Sequence, residues 1–145
     1  MTMRQGPCVA RHINHVAIAV NDITTALALY RDLFGVGAGA RVVDIADQEV
    51  KAVLVRIGGS QVEFIQPTDP NSSVARFIEK RGEGVHHICF EVDGLADRLQ
   101  ALKAKGVELI DEKPRHGLSG QIAFLHPKST GGVLIELVDQ DTAHR

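Results

Sequence analysis

The sequence predicts an α+β fold built twice on one plan, each copy a strand and a helix followed by three further strands (βαβββ). Three observations predict it. The stretch Asn14-His15-Val16-Ala17-Ile18-Ala19-Val20-Asn21 matches His86-His87-Ile88-Cys89-Phe90-Glu91-Val92-Asp93 without a gap: a histidine, five strand-like residues and a polar stop. An amphipathic helical pattern follows each stretch. A carboxylate then follows each histidine, Glu63 after His15 and Glu136 after His87, at offsets that differ by a single residue.

The first copy begins with the strand at 13–20. Ile13, His15, Ala17 and Ala19 alternate with Val16, Ile18 and Val20, so large side chains occupy one face and small ones surround the histidine on the other. The larger face is expected to pack under the next helix and to leave the His15 face open. Asn21 or Asp22 suits the helix N-cap. Ile23, Ala26, Leu27, Tyr30, Leu33 and Phe34 recur at helical spacing, and Gly35 suits the left-handed C-terminal position. After a flexible link at 37–39, a strand is expected at 41–45, a turn at 46–49 and a strand at 50–57. A Gly58-Gly59 turn and a returning strand at 61–66 come next. Glu63 falls inside that last strand, on the face of Gln61 and Ile65. Ser72 or Ser73 caps a short helix with Val74, Phe77 and Ile78 inward, and 82–84 links to the second copy.

The second copy opens with a strand at 85–92, turning Ile88, Phe90 and Val92 one way and His87, Cys89 and Glu91 the other. Asp93 is its candidate helix cap. Leu95, Leu99 and Leu102 line one helix face, and Lys103 and Lys105 suit the C-terminal end before Gly106. A short strand at 107–110, a loop at 113–120, a strand at 121–126, a turn at 127–132 and a strand at 133–138 complete it, with Glu136 inside the last. One domain therefore spans 12–138, with modules at about 12–70 and 84–138; 1–11 reads as a loose tail and 139–145 as a polar one.

Composition narrows the function. With 44% hydrophobic and 23% charged residues among 145, the chain supports a buried core. A net charge of −2 gives no nucleic-acid footprint, and 4% aromatics with no tryptophan give no base-stacking surface. Two cysteines, Cys8 and Cys89, make no disulfide framework and suit a reducing compartment. The N-terminal residues lack a signal-peptide pattern, and no apolar run approaches membrane-spanning length, so a cytoplasmic location is expected.

Glutamate is depleted in strands and costly to bury without a partner, yet Glu63 stands between Val62 and Phe64, and Glu136 between Ile135 and Leu137. Each residue alone fits a hydrogen-bonded or solvated strand position. Together His15, Glu63, His87 and Glu136, at matched offsets in two similar halves, point to one shared divalent-metal site. Two imidazoles and two carboxylates suit Co²⁺, Zn²⁺, Ni²⁺ or Mn²⁺. On an octahedral ion they leave two adjacent positions for two substrate oxygens, a geometry suited to stabilising an enolate. His86 points opposite to His87 and suits either packing or support of a ligand from behind. His12, His116 and His144 show no partner pattern, and His126 precedes Pro127 in a turn.

These paired His–Glu halves resemble the vicinal-oxygen-chelate, or glyoxalase-like, superfamily. Three stretches within it resemble the methylmalonyl-CoA epimerases: Ile13-Asn14-His15-Val16-Ala17, Gly84-Val85-His86-His87-Ile88, and the run from Phe124 through His126-Pro127-Lys128-Ser129-Thr130-Gly131-Gly132 to Glu136. The resemblance implies two βαβββ modules forming an incomplete eight-stranded barrel around a metal, with cobalt the first expectation, in a homodimer. It implies epimerisation of (R)- and (S)-methylmalonyl-CoA, with ethylmalonyl-CoA a further substrate. It also implies metal binding by His15, Glu63, His87 and Glu136, with Glu136 as one acid/base.

The chain departs from the pattern at the second base. Relatives commonly show an acidic-Gln-Gly-Val run where this chain has Asp47-Gln48-Glu49-Val50, and some carry a catalytic Glu where this chain has Ala52. Glu49, Asp47, Lys51 and a water are the candidates. Gln48, with Lys128 and Arg115 for the coenzyme A phosphates, is expected to bind substrate. Two other readings share the fold: a glyoxalase I-type isomerase, and a metal-free small-molecule-binding protein, which the full ligand set disfavours. Ring-cleaving dioxygenases use two His and one carboxylate, so Glu63 argues against that chemistry.

Overall fold

A computed structural model describes residues 8–144, which divide into two compact units, 15–86 and 8–14 with 87–144. In the first unit the elements run β1 (His12–Ala19, whose first three residues belong to the other unit), α1 (Ile23–Phe34), β2 (Val43–Ile45), β3 (Val50–Ile57), β4 (Ser60–Pro67) and α2 (Ser73–Arg81). The strand order is β2-β3-β4-β1, with β1 parallel to β4 and the other pairs antiparallel. In the second unit β5 (Gly84–Val92, whose first three residues belong to the first unit) leads to α3 (Leu95–Ala104), then β6 (Arg115–Gly117), β7 (Gly120–Leu125) and β8 (Ile135–Asp139). Their order is β5-β8-β7-β6, with β5 parallel to β8. Each unit thus follows the βαβββ plan that the sequence predicts.

Local chemistry explains the elements. The Asp22 carboxylate accepts from the Thr24 amide and caps α1, and Gly35 closes it in the left-handed region at φ 68°. Ser72 caps α2 by accepting from the Ala75 amide. Val20, Ile23, Val53, Val55 and Phe64 form the core of the first unit, with Ile18, Leu27 and Tyr30 packed against them. In the second unit Val92, Leu95, Leu99, Ala123 and Leu137 are buried against Ile88 and Phe90. The larger face of each first strand therefore packs with the following helix.

Several expectations differ in the structure. The His15 face of β1 is not open: His15, Ala17 and Ala19 are each at most 1% exposed. Leu33 and Phe34 continue the apolar spacing of α1 but are exposed, while its earlier turns pack on the sheet. Asp93 does not cap α3; its carboxylate accepts from the Arg98 guanidinium at 2.9 Å, and Gly94 takes the N-cap in a left-handed conformation. The strand expected at 107–110 reduces to a single bridge, Leu109 with Leu125, because the Ile110 and Asp111 amides both turn onto the Phe124 carbonyl.

The loop expected at 113–120 instead contains β6, returned by a two-residue turn at Leu118-Ser119. A β-carbon on Gly117 would lie 2.8 Å from Ile122, so only glycine lets β6 approach β7 this closely. Of the stretch read as a loose tail at 1–11, residues 1–7 lie outside the described ones. Cys8 packs against the second unit's core, and the Arg11 amide donates to the Glu91 carbonyl. No helix among the described residues is long and apolar enough to cross a membrane.

Candidate metal centre

Each unit builds one buried imidazole–carboxylate pair. In the first, β1 and β4 run parallel with Ala17 opposite Glu63, so the carboxylate stands beside the residue two places after the histidine. His15 Nε2 lies 3.5 Å from Glu63 Oε1, and their side chains are 1% and 7% exposed. In the second, β5 and β8 repeat the arrangement with Cys89 opposite Glu136. His87 Nε2 lies 3.1 Å from Glu136 Oε1, with side chains 4% and 6% exposed. The third strand also matches: Leu54 pairs with Glu63 and Phe124 with Glu136. The near-equal offsets in the sequence are this shared register, since both histidines stand on the unit's first strand and both glutamates on its last parallel neighbour.

The donor set fits a divalent cation. Ligand bonds of about 2.1 Å at right angles put adjacent donor atoms about 3 Å apart. The two pairs, at 3.1 and 3.5 Å, have that spacing or slightly more. A borderline transition metal accepts both donor types. Within each pair, the alternative is a direct ion pair or hydrogen bond, which the His87–Glu136 distance also satisfies.

Surrounding groups fix the second pair. The His87 ring meets Phe124 edge-on, with centroids 5.2 Å apart and planes at 88°. The Arg115 guanidinium lies 5.7 Å from the centre of the same ring. Asp111 holds both neighbours: Oδ1 stands 3.1 Å from Arg115 Nε, and Oδ2 accepts from the Phe124 amide at 2.9 Å. Arg115 is therefore engaged at the foot of the His87 pair.

The other predicted residues are dispersed. Gln48 ends a 3₁₀ turn at Ala46–Gln48 and is half-buried. Glu49 is exposed and adopts φ 57°, ψ 42°, the one non-glycine among the described residues with positive φ. This explains why glycine suits that position, and makes the glutamate a costly choice for the backbone. Asp47 and Lys51 flank it and are exposed. Ala52 is fully buried on the strand face of Leu54 and hence of Glu63. A methyl group thus stands on that face where some relatives carry a carboxylate. Lys128 is exposed in a 3₁₀ turn whose amide donates to His126 Nδ1 at 3.0 Å.

Sequence reasoning missed the roles of Asn14, Asp111 and Phe124 and assigned none to Glu91. Glu91 carried a signal, because it alternates with His87 and Cys89; it is 1% exposed and accepts from Asn14 Nδ2 at 3.0 Å. For Asp111 no sequence pattern marks the contact.

Comparison with known proteins agrees with this architecture. The profile of the Glyoxalase/Bleomycin resistance protein/Dioxygenase superfamily matches residues 14–124. The mitochondrial methylmalonyl-CoA epimerase of Homo sapiens is 38% identical over 127 residues, covering 86% of this chain and 72% of that protein. The ethylmalonyl-CoA/methylmalonyl-CoA epimerase of Cereibacter sphaeroides is 37% identical over 128 residues, 86% of this chain and 95% of its own. A solved Streptomyces coelicolor methylmalonyl-CoA epimerase variant, in complex with 2-nitronate-propionyl-CoA, superposes with a TM-score of 0.85 at 30% identity. That match covers 94% of this chain and 100% of the other. With its paired buried His–Glu sets on a glyoxalase-type fold, the chain belongs to the Glyoxalase/Bleomycin resistance protein/Dioxygenase superfamily and, within it, to the methylmalonyl-CoA epimerase family.

Proposed function

We propose that this protein interconverts (R)- and (S)-methylmalonyl-CoA by moving the α-proton, and that His15, Glu63, His87 and Glu136 together hold one divalent cation, Co²⁺ the first candidate. The observation that carries the reading is the repeated buried His–Glu pair, one per unit, at ligand spacing. Family membership makes the chain an enzyme of the isomerase class. The ethylmalonyl activity in the name of the Cereibacter sphaeroides relative supports ethylmalonyl-CoA as a second substrate.

The substrate's α-carbon lies between a thioester and a carboxylate, so removing its proton sends charge onto oxygen. A bound divalent cation supplies Lewis acidity that stabilises this charge where it forms. The protein's residues handle the proton. The Glu136 carboxylate takes it from one face and holds it at an oxygen buried beside the His87 imidazole. Glu49 returns a proton to the opposite face, which inverts the centre. The support for Glu49 is its strained backbone, which a merely structural role leaves unexplained. Gln48, Lys128 and Arg115 bind substrate: Lys128 contributes an exposed cation for phosphate, and Arg115 a charge anchored by Asp111.

We place both modules in one catalytic domain, 12–138, in a cytoplasmic homodimer. Two cysteines that form no disulfide support a reducing compartment, and exposed Leu29, Leu33 and Phe34 on α1 support self-association. Proton NMR of methylmalonyl-CoA in D₂O, with metal-loaded and then chelated protein, tests the chemistry. Metal-dependent loss of the α-proton signal, with inversion seen through a coupled mutase, is expected. No exchange with verified metal-loaded protein overturns the reading.

A further inference from the structure

A buried carboxylate that the proposed chemistry does not use stands on the His87 face of β5. Glu91 is 1% exposed, and a charge so placed is costly unless it is held for a purpose. Its partner is Asn14, itself 3% exposed and one residue before His15 in β1. Asn14 Nδ2 donates to Glu91 Oε2 at 3.0 Å and to the His144 carbonyl at 3.1 Å. The Arg11 amide donates to the Glu91 carbonyl at 2.8 Å. One side-chain amide thereby ties the start of β1 to β5 and to the end of the described chain.

The far end of this tie is itself anchored. After β8, the Gln140 amide donates to the Val92 carbonyl at 2.7 Å, and the His144 amide to the carbonyl of the buried Ser119 at 2.9 Å. Thr142 Oγ1 accepts from the Gln121 amide at 2.9 Å. Ala143 packs against the cluster of Cys89, Ile122, Phe124 and Val138. At Gly120, φ is 134° and an added β-carbon would lie 2.5 Å from the Thr142 carbonyl oxygen, so the strap lies flat on β7 only because that residue is glycine.

We infer that Asn14, Glu91 and the strap at 140–144 form a clamp that positions His15 for metal binding. Asn14 is the fixed point one peptide bond before the ligand. Groups that orient a ligand without touching the metal typically change affinity by about 10–100-fold when removed. None of these residues is a proposed metal ligand or substrate contact, so their effect belongs in metal affinity and ligand geometry. The inference rests on the metal reading above.

The test is Co²⁺ binding to apo-protein, read by chelator competition and by the visible d–d absorption of the bound ion. Melting temperature is measured without metal. Asn14→Leu removes the side-chain donations to Glu91 and His144 at similar volume, and deletion of 142–144 removes the Thr142, Ala143 and His144 contacts while leaving Asn14 and the Gln140–Val92 bond in place. Each is expected to weaken Co²⁺ about tenfold and to shift the absorption bands. Ser129→Ala is the control: it removes a hydrogen bond to the Glu108 amide in the same unit and leaves affinity and spectrum as in wild type. Wild-type affinity and spectrum in both clamp variants overturns the inference while leaving the metal reading intact. If Asn14→Leu does not fold, the deletion decides by the same criterion. A wild-type protein that takes up no Co²⁺ overturns the metal reading and this inference with it.

Discussion

Replacing Glu49 separates backbone comfort from chemistry. At φ 57° and ψ 42° its side chain crowds the backbone, a conformation costing a non-glycine residue about 1–2 kcal/mol. Glycine removes that cost but loses about 0.5–1 kcal/mol through the greater freedom of the unfolded chain. The net change for Glu49→Gly is a gain of between about 0 and 1.5 kcal/mol. With an unfolding entropy of about 0.3 kcal/mol/K for a chain this size, Tm rises by at most about 5 °C. Loss of a general acid/base lowers turnover by about 10²–10⁴-fold. Glu49→Asn is the companion variant, because asparagine tolerates the left-handed region but does not act as a carboxylate base. Both variants are expected to melt near or above wild type and to epimerise far more slowly. They retain deuterium exchange from the face that Glu136 serves, so one epimer exchanges its α-proton without inverting. Differential scanning calorimetry and NMR in D₂O measure the two halves. Wild-type inversion rates in both variants would refute Glu49 as the second base.

Other expectations follow from single features. Glu136→Gln should abolish turnover more completely than it removes metal, checked by metal analysis beside the exchange assay; near-normal epimerisation refutes the assigned role. Leu99→Ala, at a fully buried site in the second unit, should cost about 2–5 kcal/mol in urea unfolding. Gly120→Ala should cost about 1–3 kcal/mol and raise hydrogen exchange at 142–144, since its β-carbon meets the Thr142 carbonyl. At Cys8, burial pushes the thiol pKa up, opposed by the nearby Arg98 charge. The folded state therefore keeps its proton where the unfolded chain has lost it, so this group's contribution to stability falls as pH rises through the ordinary thiol range. Alkylation of native Cys8 by iodoacetamide at pH 8 should be slower than that of an unstructured cysteine peptide.

The plan of the fold was legible because two periods repeat in one chain. Alternation around His15 and His87, followed by helical spacing, marks each strand–helix pair, and the capping residues Asp22, Ser72 and Gly35 lie where such residues are favoured. The His–Glu pairs were legible for a related reason: a glutamate inside an apolar strand stands out locally. The failures came where a specific contact, whether five residues away or far along the chain, outweighed a local preference. Asp93 is a good cap by composition, but Arg98 claims its carboxylate. The 107–110 stretch has strand character, yet the amides of Ile110 and the following Asp111 converge on one carbonyl and pairing stops. β6 was hidden because Gly117, read as a loop residue, serves close packing against Ile122. The Asn14–Glu91 contact joins residues far apart in the chain, and no local pattern announces it.

The clamp has a consequence for how the protein is made. Arg11 and Asn14 are synthesised before the groups that receive them, the Glu91 carbonyl and carboxylate and the His144 carbonyl. Unit 15–86 has its own core and strands, all of them made before residue 87. The opening segment must wait, unpaired, until the strand at Gly84–Val92 and then the 140–144 stretch emerge. Closure of the second unit is thus deferred until residue 144 has been made. A nascent chain stalled before residue 140 would carry all four proposed ligands and Glu91 but lack the His144 carbonyl that Asn14 also reaches.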